Sequence, residues 1–124
     1  MIMEREVFLF ETDEGVEPFA VFLKSIQNKN AKSQVIAAVT KMGKGLFGDY
    51  KAVGDGVQEF RLHGEGYRIY FYFDGPVMVV LLGGSDKRTQ AREIAKAKEY
   101  LKEYKAQKRK KTIVKTLTKK GEKQ

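Results

Sequence analysis

Apolar positions in the first half of the chain change period twice. Residues 5–12, REVFLFET, have the β-branched and aromatic content of a strand, and TDEGVEP after them supplies turn residues. From Pro18 the period lengthens, and Phe19, Phe22, Leu23 and Ile26 form one stripe of a helix that proline is suited to begin. Asn28 and Asn30 mark a break. A second helix from about Asn30, with that residue as its N-cap, carries Val35, Ile36, Val39, Met42 and Leu46 at helical spacing. The glycine-rich stretch GKGLFGDYKAVGDG, residues 43–56, reads as a loop, because glycine loses the most backbone freedom in a regular element.

Three strands follow, at 57–62, 67–73 and 77–82, joined by the short turns HGEG and DGP as antiparallel hairpins. The last is an apolar run of the kind covered on both faces. A closing helix over about Thr89 to Tyr104 places Ile94, Ala95, Ala97 and Leu101 inside and its Glu and Lys residues outside. The order strand, two helices, three-strand antiparallel meander, helix predicts an α+β fold, a four-stranded sheet with helices packed on one face.

Composition narrows the possibilities. A chain of 124 residues, 42% apolar and with two prolines, suits one globular domain. Seven of the eight net positive charges fall in residues 106–124, where eight Lys and Arg face only Glu122. The chain therefore divides into a nearly neutral domain, 1–105, and a flexible basic tail, 106–124, read as a solubilising end or as an RNA or ribosome contact. The absence of cysteine excludes disulfides and thiolate metal sites, and a lone histidine leaves little for a metal cluster, so no metal or cofactor is expected. No stretch approaches the roughly 20 apolar residues of a membrane span. Glu4, Arg5 and Glu6 interrupt the N-terminus, unlike a signal peptide, which points to a cytoplasmic protein.

The hairpin EFRLHGEGYRIYF carries the candidate chemistry. Alternation puts Phe60 and Leu62 on one face and Val57, Glu59, Arg61 and His63 on the other. A four-residue turn sets Leu62 opposite Tyr67, Phe60 opposite Ile69, Glu59 opposite Tyr70 and Arg61 opposite Arg68. Two arginines directly across a ladder repel, so something must offset them. Glu59 can do so as an ion-pair cluster covering the sheet, or an anion such as phosphate can be held by the forked guanidinium donors. Tyr70 and Tyr72 beside them either stack on a base or cover the sheet.

The run KGLFGDYKAVGDGVQEFRLHGEGYRIYF, followed by VVLLGGSDKRTQAREIAKAKEY, resembles the RelE/ParE toxin superfamily, in particular its HigB-like, partly phage-derived branch of addiction-module killer proteins. The resemblance runs from about Val7 to Tyr104, and its most specific parts are Glu59-Phe60-Arg61, Gly66-Tyr67-Arg68-Ile69-Tyr70 and Gly83-Gly84 with Asp86-Lys87 and Thr89-Gln90. It implies a RelE-like fold and a toxin of a type II toxin–antitoxin system, a metal-independent endoribonuclease that cleaves messenger RNA on the ribosome. It also implies a cognate antitoxin, a small helix-turn-helix protein, as partner.

Arg61 and Arg68 match the family's basic sheet positions, and Lys87 or Arg88 matches a basic residue after the last strand. No tyrosine near Ile94 corresponds to the one that RelE carries in its C-terminal helix. For such cleavage Arg61 and Arg68 suit charge stabilisation, since arginine keeps its proton. His63 is the natural titrating group, Glu59 serves as base or orients Arg61, and Lys87 and Arg88 bind phosphate or donate a proton. The alternatives are a ParE-like toxin that inhibits DNA gyrase and an inactive phage-derived relic that binds nucleic acid.

Overall fold

The computed structural model describes residues 3–64 and 66–122, with side chains as far as Lys110. The chain forms β1 (Glu6–Leu9), α1 (Pro18–Ser25), α2 (Lys29–Gly43), β2 (Tyr50–Gly54), β3 (Val57–Arg61), β4 (Arg68–Asp74), β5 (Met78–Ser85) and α3 (Gln90–Glu122). The α+β class and the order of the predicted elements hold, but the sheet has five strands, in the order β1-β5-β4-β3-β2. It is mixed: β1 runs parallel to β5 and every other pair is antiparallel.

The extra strand is β2, inside the stretch read as a loop. Its glycines gather at the end, where Gly54, Asp55 and Gly56 all take positive φ in the turn to β3, and the register slips between Ala52 and Gly54. An edge strand with largely exposed side chains has no apolar alternation to betray it. The helices also differ from expectation, since they cover both faces. On one, α1 and α2 bury Phe19, Ile26, Ala31, Val35, Ala38 and Met42 against Leu62, Ile69, Phe71, Val79 and Leu81. On the other, Ala97, Leu101 and Tyr104 of α3 pack on Val57, Tyr70, Val80 and Leu82. Strand β5 alternates between the two cores, so its unbroken apolar run is required on both sides.

Local chemistry explains the element ends. Asn28, two residues before the predicted cap, caps α2 by accepting from the Ala31 amide at 3.0 Å. Within α2 the buried stripe is Ala31, Val35, Ala38 and Met42, while Ile36, placed inside by spacing, is exposed, as is Leu46 beyond the helix end. Ala95 of α3 likewise faces out. Pattern places the end of α3 near Tyr104, where its apolar stripe stops. The backbone helix instead runs on to Glu122, through residues 105–120 that contain neither glycine nor proline to end it. The side chains of most of the basic tail lie outside the described residues. Among the described residues, no helix is long and apolar enough to cross a membrane.

Two contacts fix the helices on the sheet. At Gly84 of β5 the Phe22 ring of α1 occupies the place of a side chain, and an added Cβ would also come within 2.8 Å of the Arg68 carbonyl oxygen of the neighbouring strand. The backbone oxygen cannot yield without breaking the ladder. Gly84→Ala is therefore expected to destabilise the fold by about 1–3 kcal/mol, read as a lower denaturation midpoint with an unchanged slope.

Where α3 leaves the sheet, the Tyr104 hydroxyl and the Lys108 ammonium both donate to Asp74. Lys108 first, then Tyr104 and Lys105, hold the Asp74 carboxyl below its usual range against the opposing effect of burial. Burial and the same carboxylate push the Tyr104 hydroxyl up, so it remains a donor. A carboxyl depressed on folding stabilises the protein above its unfolded value near 4, and the contribution disappears as pH falls through the folded value. Asp74→Asn should lower the melting temperature at neutral pH, with the gap to the parent protein closing below about pH 4 in a pH series of thermal melts.

Candidate functional site

The β3–β4 hairpin keeps the register expected for it: Gln58, Glu59, Phe60 and Arg61 pair with Phe71, Tyr70, Ile69 and Arg68. Arg61 thus sits directly across from Arg68, and Glu59 is one step along the same face. The Glu59 carboxylate offsets the repulsion. Its Oε2 lies 3.7 Å from Arg68 Nε and its Oε1 lies 4.0 Å from an Arg61 terminal nitrogen, ion-pair distances beyond hydrogen bonding.

The two arginines are not equivalent. Arg68 is only 7% exposed and donates to the Gly66 carbonyl oxygen at 2.8 Å, so it is held by the turn that precedes it. Arg61, at the end of β3, is 41% exposed. Beyond it β2 sets Lys51 across from Glu59, and Asp49, Tyr50, Lys51, Glu59 and Arg61 line a shallow cleft of about 250 Å³.

Glu59 is fully buried because α3 closes over it. Gln90, in the first turn of that helix, donates to Glu59 Oε2 at 2.8 Å, and the Tyr70 hydroxyl lies 3.3 Å from the same oxygen and 2.8 Å from Ser85 Oγ. Burial, reinforced by the neighbouring carboxylate and opposed by the Ser85 hydrogen bond, pushes the Tyr70 hydroxyl up to about 12, so it stays protonated. Asp86 orders the turn before α3 by accepting from the Thr89 amide and hydroxyl. Although burial acts against it, these bonds and Arg88 bring the Asp86 carboxyl below its ordinary value.

Several sequence-based assignments change with this geometry. Tyr70 cannot stack on a base, since it is 0% exposed beneath α3. The ring of Tyr72 is half-buried, with Lys105 over it at 5.1 Å and Tyr104 against it. Glu59, buried and engaged by Arg68 and Gln90, is placed to orient the arginines rather than to meet a substrate as a base. His63 is 79% exposed in the hairpin turn and 3.6 Å from Asp49.

The other candidates are accessible. The stem of Lys87 lies across Gly66, whose carbonyl holds Arg68, which brings Lys87 to the turn beside Arg68. Arg88 is 91% exposed, 3.6 Å from Asp86, at the rim of a groove of about 570 Å³ that also involves Phe22, Tyr67, Gly84, Ser85 and Arg92. Ser85, Gln90 and Lys51 received no role from the sequence, although Gln90 belongs to the run that carries the resemblance. The polar run GGSDKRTQ, abrupt after the apolar β5, was a usable sign for the first two. Lys51 was hidden with its strand.

No family model matches the chain. Over 81 residues it is 41% identical to an uncharacterized protein of Haemophilus influenzae, covering 64% of this chain and 82% of that protein. The two belong to one family. That kinship brings no activity with it.

Two atoms of the cluster, Glu59 Oε1 and Arg68 Nε, are buried without a hydrogen-bond partner among the described residues, so its balance rests on charge. Glu59→Gln keeps the shape and removes the charge, leaving Arg68 buried and uncompensated. The expected loss is about 3 kcal/mol, while Tyr70→Phe, which removes one neutral donor, should cost about 1 kcal/mol. Denaturant unfolding of the two variants checks the order, and a Glu59→Gln protein as stable as its parent would mean that the ion pair contributes nothing.

Proposed function

We propose that the chain is a toxin of the RelE/ParE superfamily, HigB-like, that cleaves messenger RNA on the ribosome and is restrained by a small helix-turn-helix antitoxin. The observation that carries this reading is the division of labour between the paired arginines. Arg68 is committed to Glu59 and the turn, and Arg61 is partly open to solvent, with Lys51 on the neighbouring strand β2 and Lys87 against the turn that holds Arg68.

In such a reaction the 2′-oxygen attacks the adjacent phosphorus, the bond to the 5′-oxygen breaks, and the products are a 2′,3′-cyclic phosphate and a 5′-hydroxyl. Charge accumulates on the phosphoryl oxygens during the attack. The exposed Arg61 guanidinium stabilises it, aimed by Glu59, which Arg68 and Gln90 hold in turn. Lys87 supplies a second cation or the proton for the leaving oxygen. His63, beside Asp49 at the end of the same hairpin, takes the proton that the 2′-hydroxyl gives up.

Expression without a partner should arrest growth and yield new RNA 5′ ends phased with the reading frame. Arg68→Ala is a poor test, because it strips a buried carboxylate of its partner. Arg61→Ala changes a half-exposed side chain and should leave the melting temperature nearly unchanged while slowing cleavage by about 100-fold or more. Supercoiling defects with intact RNA would replace this reading with gyrase inhibition, and full toxicity of folded Arg61→Ala would remove the assigned role.

A further inference from the structure

Among the described side chains, Gln107, which donates to the Glu11 carbonyl and Asp13, and Lys108, which donates to Asp74, tie α3 to the domain. The backbone helix then continues to Glu122, which at 1.5 Å per residue carries it about 20 Å farther. That extension holds most of the chain's surplus positive charge. Between Ala106 and Gln124 lie seven Lys and one Arg, with Glu122 the only acid.

Lys111, Lys115 and Lys119 recur at four-residue steps, the spacing at which like charges on a helix repel. A helix of this composition is relieved by a counter-charge as extended as itself. No aromatic residue follows Tyr104, so the segment has no ring on which a base could stack, and its cations are almost all lysines, point charges without the planar fork that reads base edges. The acids Glu11, Asp13, Glu14 and Glu17 cluster at the β1–α1 turn, at the foot of the extension, and leave its outer part as the attractive region.

We propose that the extension of α3 beyond Lys108 is an RNA-binding arm that grips the phosphate backbone without regard to sequence. Its cations neutralise successive phosphates and release their counterions, so the arm contributes the salt-dependent part of the affinity. This holds whether or not the hairpin cleaves RNA, and the test is built to keep the two apart.

Binding of a labelled oligouridylate is measured across a salt series with full-length protein carrying Arg61→Ala, so that no cleavage consumes the probe. Changing Lys111, Lys115, Lys119 and Lys120 together to Gln, a good helix former, should reduce the slope of log affinity against log salt by up to about 3, at roughly 0.7 per lost contact. The same four positions changed to Arg should restore it, and an oligocytidylate should bind like the oligouridylate. Superimposable curves for the Gln and parent proteins would overturn the proposal. So would polyglutamate of matched charge binding as tightly as RNA, which would point to an acidic protein surface instead.

Discussion

A strand that is apolar on both sides can be kept from water only if both sides of its sheet are covered. Val79, Val80, Leu81 and Leu82 of β5 are all fully buried, the odd-numbered pair under α1 and α2 and the even-numbered pair under α3. From that requirement the layering follows. The two short helices cannot wrap the sheet, so a third must cross the far face, and the same crossing sets Gln90 over Glu59. The polar cluster is thus a by-product of an apolar need: α3 is there to cover Val80 and Leu82, and its first turn closes the carboxylate away from water.

Burial in turn gives Glu59 its effect. An exposed carboxylate between two arginines is worth little, because water and salt screen it. Under α3 the same charge must be balanced, and Arg68 is held inside to balance it. The exposed arginine is then the one with freedom to meet an anion. The hairpin resolves the repulsion of its paired cations by making one structural and the other available.

Much of this was legible in the residues. Alternation and a four-residue turn were enough to set Arg61 across from Arg68 and Glu59 across from Tyr70, because register in a tight hairpin is a local property. The apolar stripes of Phe19 and of Val35 located α1 and α2. What stayed hidden depends on distant parts of the chain. Nothing in the pattern of Tyr70 distinguishes a tyrosine that covers a sheet from one that is itself covered, and only the position of α3 decides it. Gln90 meets Glu59 across 31 residues of chain, and polar pairs at that distance leave no periodic trace. Strand β2 escaped because exposed edge residues need not alternate and because glycines at its turn mask the five residues before them.

The parallel pairing of β1 with β5 bears on how the chain comes together in time. Glu6 finds its neighbour at Met78, so β1 leaves the ribosome well before the strand it pairs with. Closing so long a loop is entropically costly and slow, and until it closes the inner faces of α1 and α2 have no sheet to cover. Synthesis at about 5–20 residues per second stretches that interval over several seconds. The nascent chain therefore passes through a period of exposed apolar helices and an uncovered Glu59. Only when Gln90 and the residues behind it emerge can the arginine hairpin take its finished form, which makes the cluster one of the last features of the molecule to exist.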